Sequence, residues 1–249
     1  MTKRVTIIGS YVSPYVRKVL VTLDLKGIAY ELDPIIPFMG DERFSQLSPL
    51  RRIPVLIDDP VTLCDSTVIC EYLNERYPQP PLLPEGAAER ARARWLEEFA
   101  DTRMGEVLIW GLFNQLVINP FVWGTPTDDA VLQRVMGEDI PHVLDYLESQ
   151  VPAEGFLFGA VSIADIAIAC PFRNAAFARF TIDAARWPRT AAFVARVLGI
   201  ESFQKLRPFE EKMMRTPIPQ HRAALDEIGA PLTKETYVAA SARRGLMRT

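Results

Sequence analysis

Along the first eighty residues, apolar positions come first in short continuous runs and then at helical spacing. "RVTIIG" (4–9) and "YELDPII" (30–36) have the length and β-branched content of strands. Between them, "YVRKVLVTLDLKG" puts Val16, Val19, Leu20, Leu23 and Leu25 near one helical face, with Gly27 placed to end the helix. Strand, helix and strand within about thirty residues predict a βαβ unit with a parallel pair. "PVLI" (54–57) and "VTLC" (61–64) flank "DDP" as a strand–turn–strand, and the helix "STVICEYLNERYP" follows and stops at Pro78. Counting the poorly periodic middle as a helix, the order is βαβ-α-ββα, a small mixed sheet with helices on its faces.

Past "PQPPLLPEG" (78–86), a stiff proline-rich stretch, the period changes. Residues 87–112, 129–151, 162–180, 187–199 and 201–215 all carry helical patterns, the second bent or restarted near Pro141, and no strand pattern intervenes. "LFNQLVINPFVWGTP" is unusually apolar for a connection between helices. The expected organisation is an α/β domain over 1–80, a linker over 81–86, an all-helical domain over 87–216 and a polar, poorly periodic extension over 217–249.

Composition narrows the function more than the fold. A net charge of −3 over 249 residues gives no overall electrostatic case for nucleic acid or an anionic membrane. The N-terminal apolar run is too short for a signal-peptide core, and the most apolar later run, "ADIAIACPF", is cut by Pro171. Cys64, Cys70 and Cys170 form no metal-ligand spacing, and with only His142 and His221 no zinc cluster can be proposed. These features predict a cytoplasmic protein without a metal.

Candidate chemistry gathers where strands hand over to helices. In "SYVSPYVRKVL" (10–20), Ser13 is a favoured N-cap and Pro14 suits the first helical position. A cap hydroxyl accepts from the backbone while its own proton stays free to donate. It also sits at a helix N-terminus, beyond a strand end, where an anion is favoured. The residues alone support a bare cap and an anion or thiolate site equally. In "LSPLRRIPVLIDD", a cis Pro54 would turn the N–H and C=O of Ile53 outward to pair with an extended peptide. In "LCDSTVICEYL", Asp65 and Ser66 begin an apolar helix, either as ordinary caps or as a carboxylate site.

These three motifs, with "SIADIAIA" later on, resemble the glutathione transferase superfamily. "SPYVRKV" is similar to its serine-type active-site motif. In "SIADIAIA", Ser162 and Asp165 form an S-x-x-D capping box like that family's buried helix start. The resemblance covers roughly the first two hundred residues. It implies a thioredoxin-like N-terminal domain followed by a C-terminal helical bundle. It also implies Ser13 facing the sulfur of glutathione, with Tyr11 and Ser10 as rivals, and no enzyme cysteine at that place.

By the same resemblance, Ile53 before Pro54 pairs its backbone with the cysteinyl part of glutathione. Asp65 and Ser66 hold the γ-glutamyl end, and Arg52 lies near the peptide. Arg17, one turn beyond Ser13, reads first as a solvated helix-surface residue and otherwise as a source of field for the thiolate, and Arg43 is set aside for the glycyl carboxylate because its loop is shorter than the family's and differently spaced. An electrophile pocket would fall near Met104, Leu108, Trp110 and Phe113, which by default are core. The implied activity is attack of glutathione, as a thiolate co-substrate, on a small hydrophobic electrophile by a homodimer with a detoxification role. The alternatives are another glutathione-dependent activity (isomerase, dehalogenase or peroxidase) and a non-enzymatic binding or regulatory protein on the same fold.

Overall fold

The computed structural model describes residues 4–59 and 61–243. The chain forms two compact units, and they do not follow the expected boundaries. One joins Met1–Pro80 to Glu201–Thr249, and the other is Pro81–Ile200. Residues 201–216, expected in the helical domain, therefore belong with the first eighty.

In the first unit, β1 (Val5–Ile8), β2 (Tyr30–Asp33), β3 (Val55–Asp58) and β4 (Val61–Cys64) form one sheet in the order β2-β1-β3-β4. β2 runs parallel to β1, while β3 is antiparallel to both β1 and β4. Helices α1 (Pro14–Leu25), α2 (Glu42–Leu47) and α3 (Ser66–Arg76) complete the expected βαβ-α-ββα order, the thioredoxin-like arrangement.

The central strands are the most apolar, with Ile7, Ile8, Val55 and Leu56 wholly buried. α1 ends at Gly27 as anticipated. With φ +66, Gly27 takes a left-handed conformation that favours glycine, and Ile28 N–H closes back on Leu23 O at 2.9 Å.

What periodicity does not show is the second face of α1. Arg17, Lys18 and Thr22, polar residues expected in water, are buried along with Val16, Val19, Leu20 and Leu23. Lys18 and Thr22 face α3, where they meet Thr67 at 3.2 Å and Cys70 at 3.4 Å, while Arg17 is covered from the far end of the chain. α9 (Glu201–Gln204) supplies Ser202 to Asp24, the turn after it supplies Lys205 to the same carboxylate, and α10 (Arg207–Met214) supplies Glu210 to Arg17.

The C-terminal extension is built onto the same unit rather than loose. After α11 (His221–Glu227), the chain runs along β2. Leu32 N–H donates to Pro231 O at 2.7 Å and Thr233 N–H to Leu32 O at 3.1 Å. Buried Asp33 accepts from Arg222 at 3.1 Å and from the Tyr237 N–H at 2.7 Å. Val238 then bridges Gly40, and Arg243 N–H reaches Phe38 O at 2.7 Å. The last six residues of the extension lie outside the described residues.

The second unit is helical. α4 (Ala87–Phe99) continues into a wider, π-type helix over Ala100–Trp123. The apolar stretch expected as a connection is therefore largely helix, closed by Gly124 at φ +62. A π-type turn at Val135–Asp139 joins α5 (Asp129–Arg134) to α6 (Ile140–Gln150). Pro141 lies in the first turn of α6, where its missing N–H costs little, as expected of a helix restarting there.

α7 (Ile163–Phe177) packs against α4 and the π-type helix, and α8 (Pro188–Leu198) follows. At its start, the buried Asp165 carboxylate accepts from Ser162 N–H at 2.8 Å, Ser162 Oγ at 2.5 Å and Leu157 N–H at 2.9 Å. The expected linker is pinned here too, because Leu82 is buried and its carbonyl accepts from Ile163 N–H at 2.9 Å. Among the described residues, no helix is long and apolar enough to cross a membrane.

Candidate functional site

Strand register brings the three N-terminal motifs to one end of the sheet. Ile8 pairs with Val55, and Val55 with Cys64. One residue past that row on each strand lie Gly9, Pro54 and Asp65. Gly9 is where the pieces close up. A Cβ there would stand 2.5 Å from Val16 Cγ2 and 3.4 Å from Ile53 Cβ, so only glycine lets α1 and the turn at Ile53 approach so closely.

The turn after Gly9 is tightly bonded. Ser13 N–H donates to Ser10 O at 3.0 Å, and Val12 N–H donates to Ser10 Oγ at 3.2 Å. Ser13 has extended backbone (φ −70, ψ 128), and its hydroxyl accepts from Val16 N–H at 3.4 Å, so it is the N-cap of α1. It is only half-buried, and its proton has no acceptor among the described residues.

The rivals are placed differently. Ser10 is buried, and its hydroxyl is spent on the Val12 N–H and on Met213 Sδ at 3.8 Å. Tyr11 is wholly buried, its ring 4.9 Å from that of Phe209, and its hydroxyl lacks a well-formed hydrogen bond. Burial pushes the Tyr11 phenol well above its ordinary value, with the neighbouring Tyr30 adding to the shift. Tyr30 itself is pushed up to about 12, again mainly by burial. Tyr11 is a neutral core residue and does not present an ionisable group to solvent.

At the second motif, Ser48 Oγ holds Arg52 at both backbone groups, accepting from its N–H at 2.9 Å and donating to its carbonyl at 2.8 Å. The Arg52 side chain is exposed. The Ile53–Pro54 peptide is cis, Ile53 is buried, and its N–H and C=O pair with nothing among the described residues. Arg43 is already engaged, by Asp41 at 2.8 Å, by Thr236 O at 2.6 Å and by the Tyr237 ring.

At the third motif, Asp65 holds φ +82, a conformation rare for a side-chain-bearing residue. Its Oδ1 accepts from Thr67 N–H at 2.9 Å and Val68 N–H at 3.3 Å, capping α3. Both bonds use one oxygen, so Oδ2 is left for another donor. Ser66 is buried at the first position of α3, and neither its N–H nor its hydroxyl has a partner among the described residues.

Beneath these groups lie two buried cations: Lys18, which sequence reasoning did not single out, and Arg17, which it weighed as a source of field for a thiolate but read first as solvated. Lys18 Nζ donates to Thr67 Oγ1 at 3.2 Å, linking α1 to the first turn of α3. Arg17 pairs with Glu210 and reaches the carbonyls of Tyr11 at 3.5 Å and Val12 at 3.4 Å. The expected solvated Arg17 is therefore wholly inside, and nothing in its neighbourhood in the sequence signals α10. In the helical unit, Met104, Leu108 and Phe113 are buried and Trp110 is half-buried, as core residues at helical spacing are.

The arrangement amounts to a row of unspent groups at one sheet end: a hydroxyl donor on a helix N-terminus, an extended backbone donor and acceptor, and a second helix start with a free carboxylate oxygen. It can hold an extended anionic peptide and stabilise a charge beside Ser13.

Comparison with known proteins places the chain in a family. Residues 7–81 match the family described as "Glutathione S-transferase, N-terminal domain". The chain is 30% identical over 212 residues to the uncharacterized GST-like protein YibF of Escherichia coli K12, covering 81% of this chain and 98% of that one. It is 27% identical over 196 residues to maleylacetoacetate isomerase of Rattus norvegicus, covering 77% of this chain and 86% of the isomerase. A crystal structure of a glutathione S-transferase from Rhodospirillum rubrum superposes with a TM-score of 0.74 at 28% identity, covering 81% of this chain and 91% of that one.

Proposed function

The chain belongs to the glutathione S-transferase superfamily, and from that premise we propose that it binds glutathione at this sheet end and activates its thiol for attack on a small apolar electrophile. The observation that carries the reading is the uncommitted Ser13 proton on the N-terminus of α1, in the same row as the unpartnered backbone of Ile53 and the start of α3. Ser13 Oγ–H donates to the thiolate. The N–H groups and dipole of α1 add to that stabilisation, and each pKa unit of thiol lowering corresponds to about 1.4 kcal/mol.

Ile53 N–H and C=O pair with the cysteinyl backbone. Ser66 N–H and Oγ–H take the γ-glutamyl carboxylate, and Asp65 Oδ2 accepts from its ammonium. Arg52 contributes a cation beside the anionic peptide. The thiol proton leaves to solvent, and the sulfur lone pair forms the new S–C bond. The displaced electrons depart with a leaving group or are taken up as a protonated carbanion. The protein works as a cytoplasmic homodimer with a role in detoxification.

The test is the pH dependence of thiolate absorbance for bound glutathione in wild type and Ser13→Ala. Wild type should lower the thiol pKa by at least about one unit, and Ser13→Ala should lose most of that shift. Binding with no shift in wild type would sink the thiolate reading. The similarity to maleylacetoacetate isomerase favours one second reading, glutathione-dependent isomerisation on the same residues. It is distinguished by turnover of maleylacetoacetate without net consumption of glutathione.

A further inference from the structure

The Ser10–Ser13 turn is backed by one face of α10. Phe209 stacks on Tyr11, Glu210 pairs with Arg17, and Met213 Sδ accepts from Ser10 Oγ. Arg17 is the hinge of this arrangement. Its guanidinium is wholly buried, Nε is held by Glu210, and Nη2 points at the carbonyls of Tyr11 and Val12, the two peptides that lead into Ser13.

A buried ion pair is a poor way to gain stability alone, because well-packed apolar side chains of similar size usually serve as well. No apolar side chain, however, can satisfy the two carbonyls of the turn. The pair therefore does something packing cannot: it fixes the orientation of the peptides that carry the Ser13 cap, and it does so from a residue 193 positions away.

We infer that Arg17 and Glu210 are positioning residues for the Ser13 site, and that through them the C-terminal segment sets how strongly the site activates a thiol. This rests on the thiolate reading of Ser13. It goes beyond that reading by giving residues 207–214 a share in the chemistry.

The experiment compares wild type with the double variant Arg17→Met/Glu210→Met, in which an apolar pair replaces the ionic one. Three quantities are read: hydrogen exchange of residues 10–16, the thiol pKa of bound glutathione, and affinity for S-methylglutathione, which has no thiol to ionise. The double variant should fold and melt within about 10 °C of wild type, the loss coming from the two carbonyls rather than from the ion pair. Exchange across 10–16 should rise about tenfold or more. The bound thiol pKa should move back by about one unit, and S-methylglutathione affinity should change by less than about threefold.

Wild-type exchange in the double variant overturns the inference. So does faster exchange with an unmoved thiol pKa, which would leave the pair a packing feature only. A wild-type protein that does not lower the thiol pKa refutes the thiolate reading instead, and exchange alone then decides the anchoring of the turn. If the double variant does not fold, Glu210→Gln, which keeps the side-chain shape and removes the charge, is measured in the same way.

Discussion

Ser13 performs two separable jobs, and a substitution can split them. As a cap it accepts from Val16 N–H, and as a donor it offers its proton outward. Aspartate is an equally good cap but at neutral pH has no proton to give. Ser13→Asp should therefore unfold within about 1 kcal/mol of wild type while losing glutathione-dependent turnover by about a hundredfold or more, as paired chemical denaturation and rate measurements would show. Ser13→Ala should suffer in both.

His221 is a second residue whose protonation matters. It is buried, with Nε2 3.0 Å from Thr216 O, and burial lowers its pKa below the ordinary histidine value. The neutral ring is thus favoured in the folded state. Its stabilising share is present above the unfolded pKa and is lost as pH falls through the folded one. Melting temperature should drop between pH 7.5 and 5.5, and by less in His221→Asn. An equal drop in both proteins would show that other groups set the acid limit.

At this scale, "SP" and "DS" are legible because caps are local chemistry. The burial of Arg17 is not, since a lone arginine one turn into an amphipathic helix looks solvated until α10 is placed over it.

Among the elements, β2 is the vulnerable one. It lies at the end of the sheet order, and an uncovered edge strand invites pairing with other chains. Here the chain's own extension takes up that edge through Pro231, Leu232 and Thr233, while Asp33 receives Arg222 and the Tyr237 N–H. Ending the chain after Gly229 should cost about 2–4 kcal/mol, from several lost backbone bonds and an under-satisfied buried Asp33. It should also produce species larger than the proposed wild-type dimer, visible by light scattering. A truncated protein that keeps the oligomeric state and the stability of wild type would rule out this role.

The strands and α1 were readable from their periods, and so were most of the helices. The extension was not. Its attachment is made by backbone groups and a few polar side chains, which leave no apolar period to find. The helical course of residues 112–123 was hidden for the opposite reason, because a run apolar on all sides, with Pro120 inside, carries no period either.

For the molecule as a whole, the unit that carries the Ser13 site is discontinuous in the chain. Fold class, the order of elements and the change of period near residue 80 follow from the sequence. The return of residues 201–249 to the first unit could not be seen there, because a helical pattern says nothing about which body it joins. Pro81–Ile200 is continuous and buries its own α7, so as a fragment it should unfold cooperatively. Residues 1–80 alone should not, since Arg17 would be left buried without Glu210 or exposed along with the face of α1. Adding 201–249 in trans should restore a cooperative transition by circular dichroism. A cooperative transition of 1–80 alone would show that the cover is dispensable.

The same discontinuity sets a clock during synthesis. At about 5–20 residues per second, the ribosome spends roughly 6–24 s on Pro81–Ile200 after finishing the first eighty residues. Through that interval the second face of α1, the Ser10–Ser13 turn and the edge of β2 all await partners not yet made. The helical unit, emerging second, is the first that can be complete. The part of the protein that begins first thus finishes last, and its dependence on chaperones should be greatest in that window.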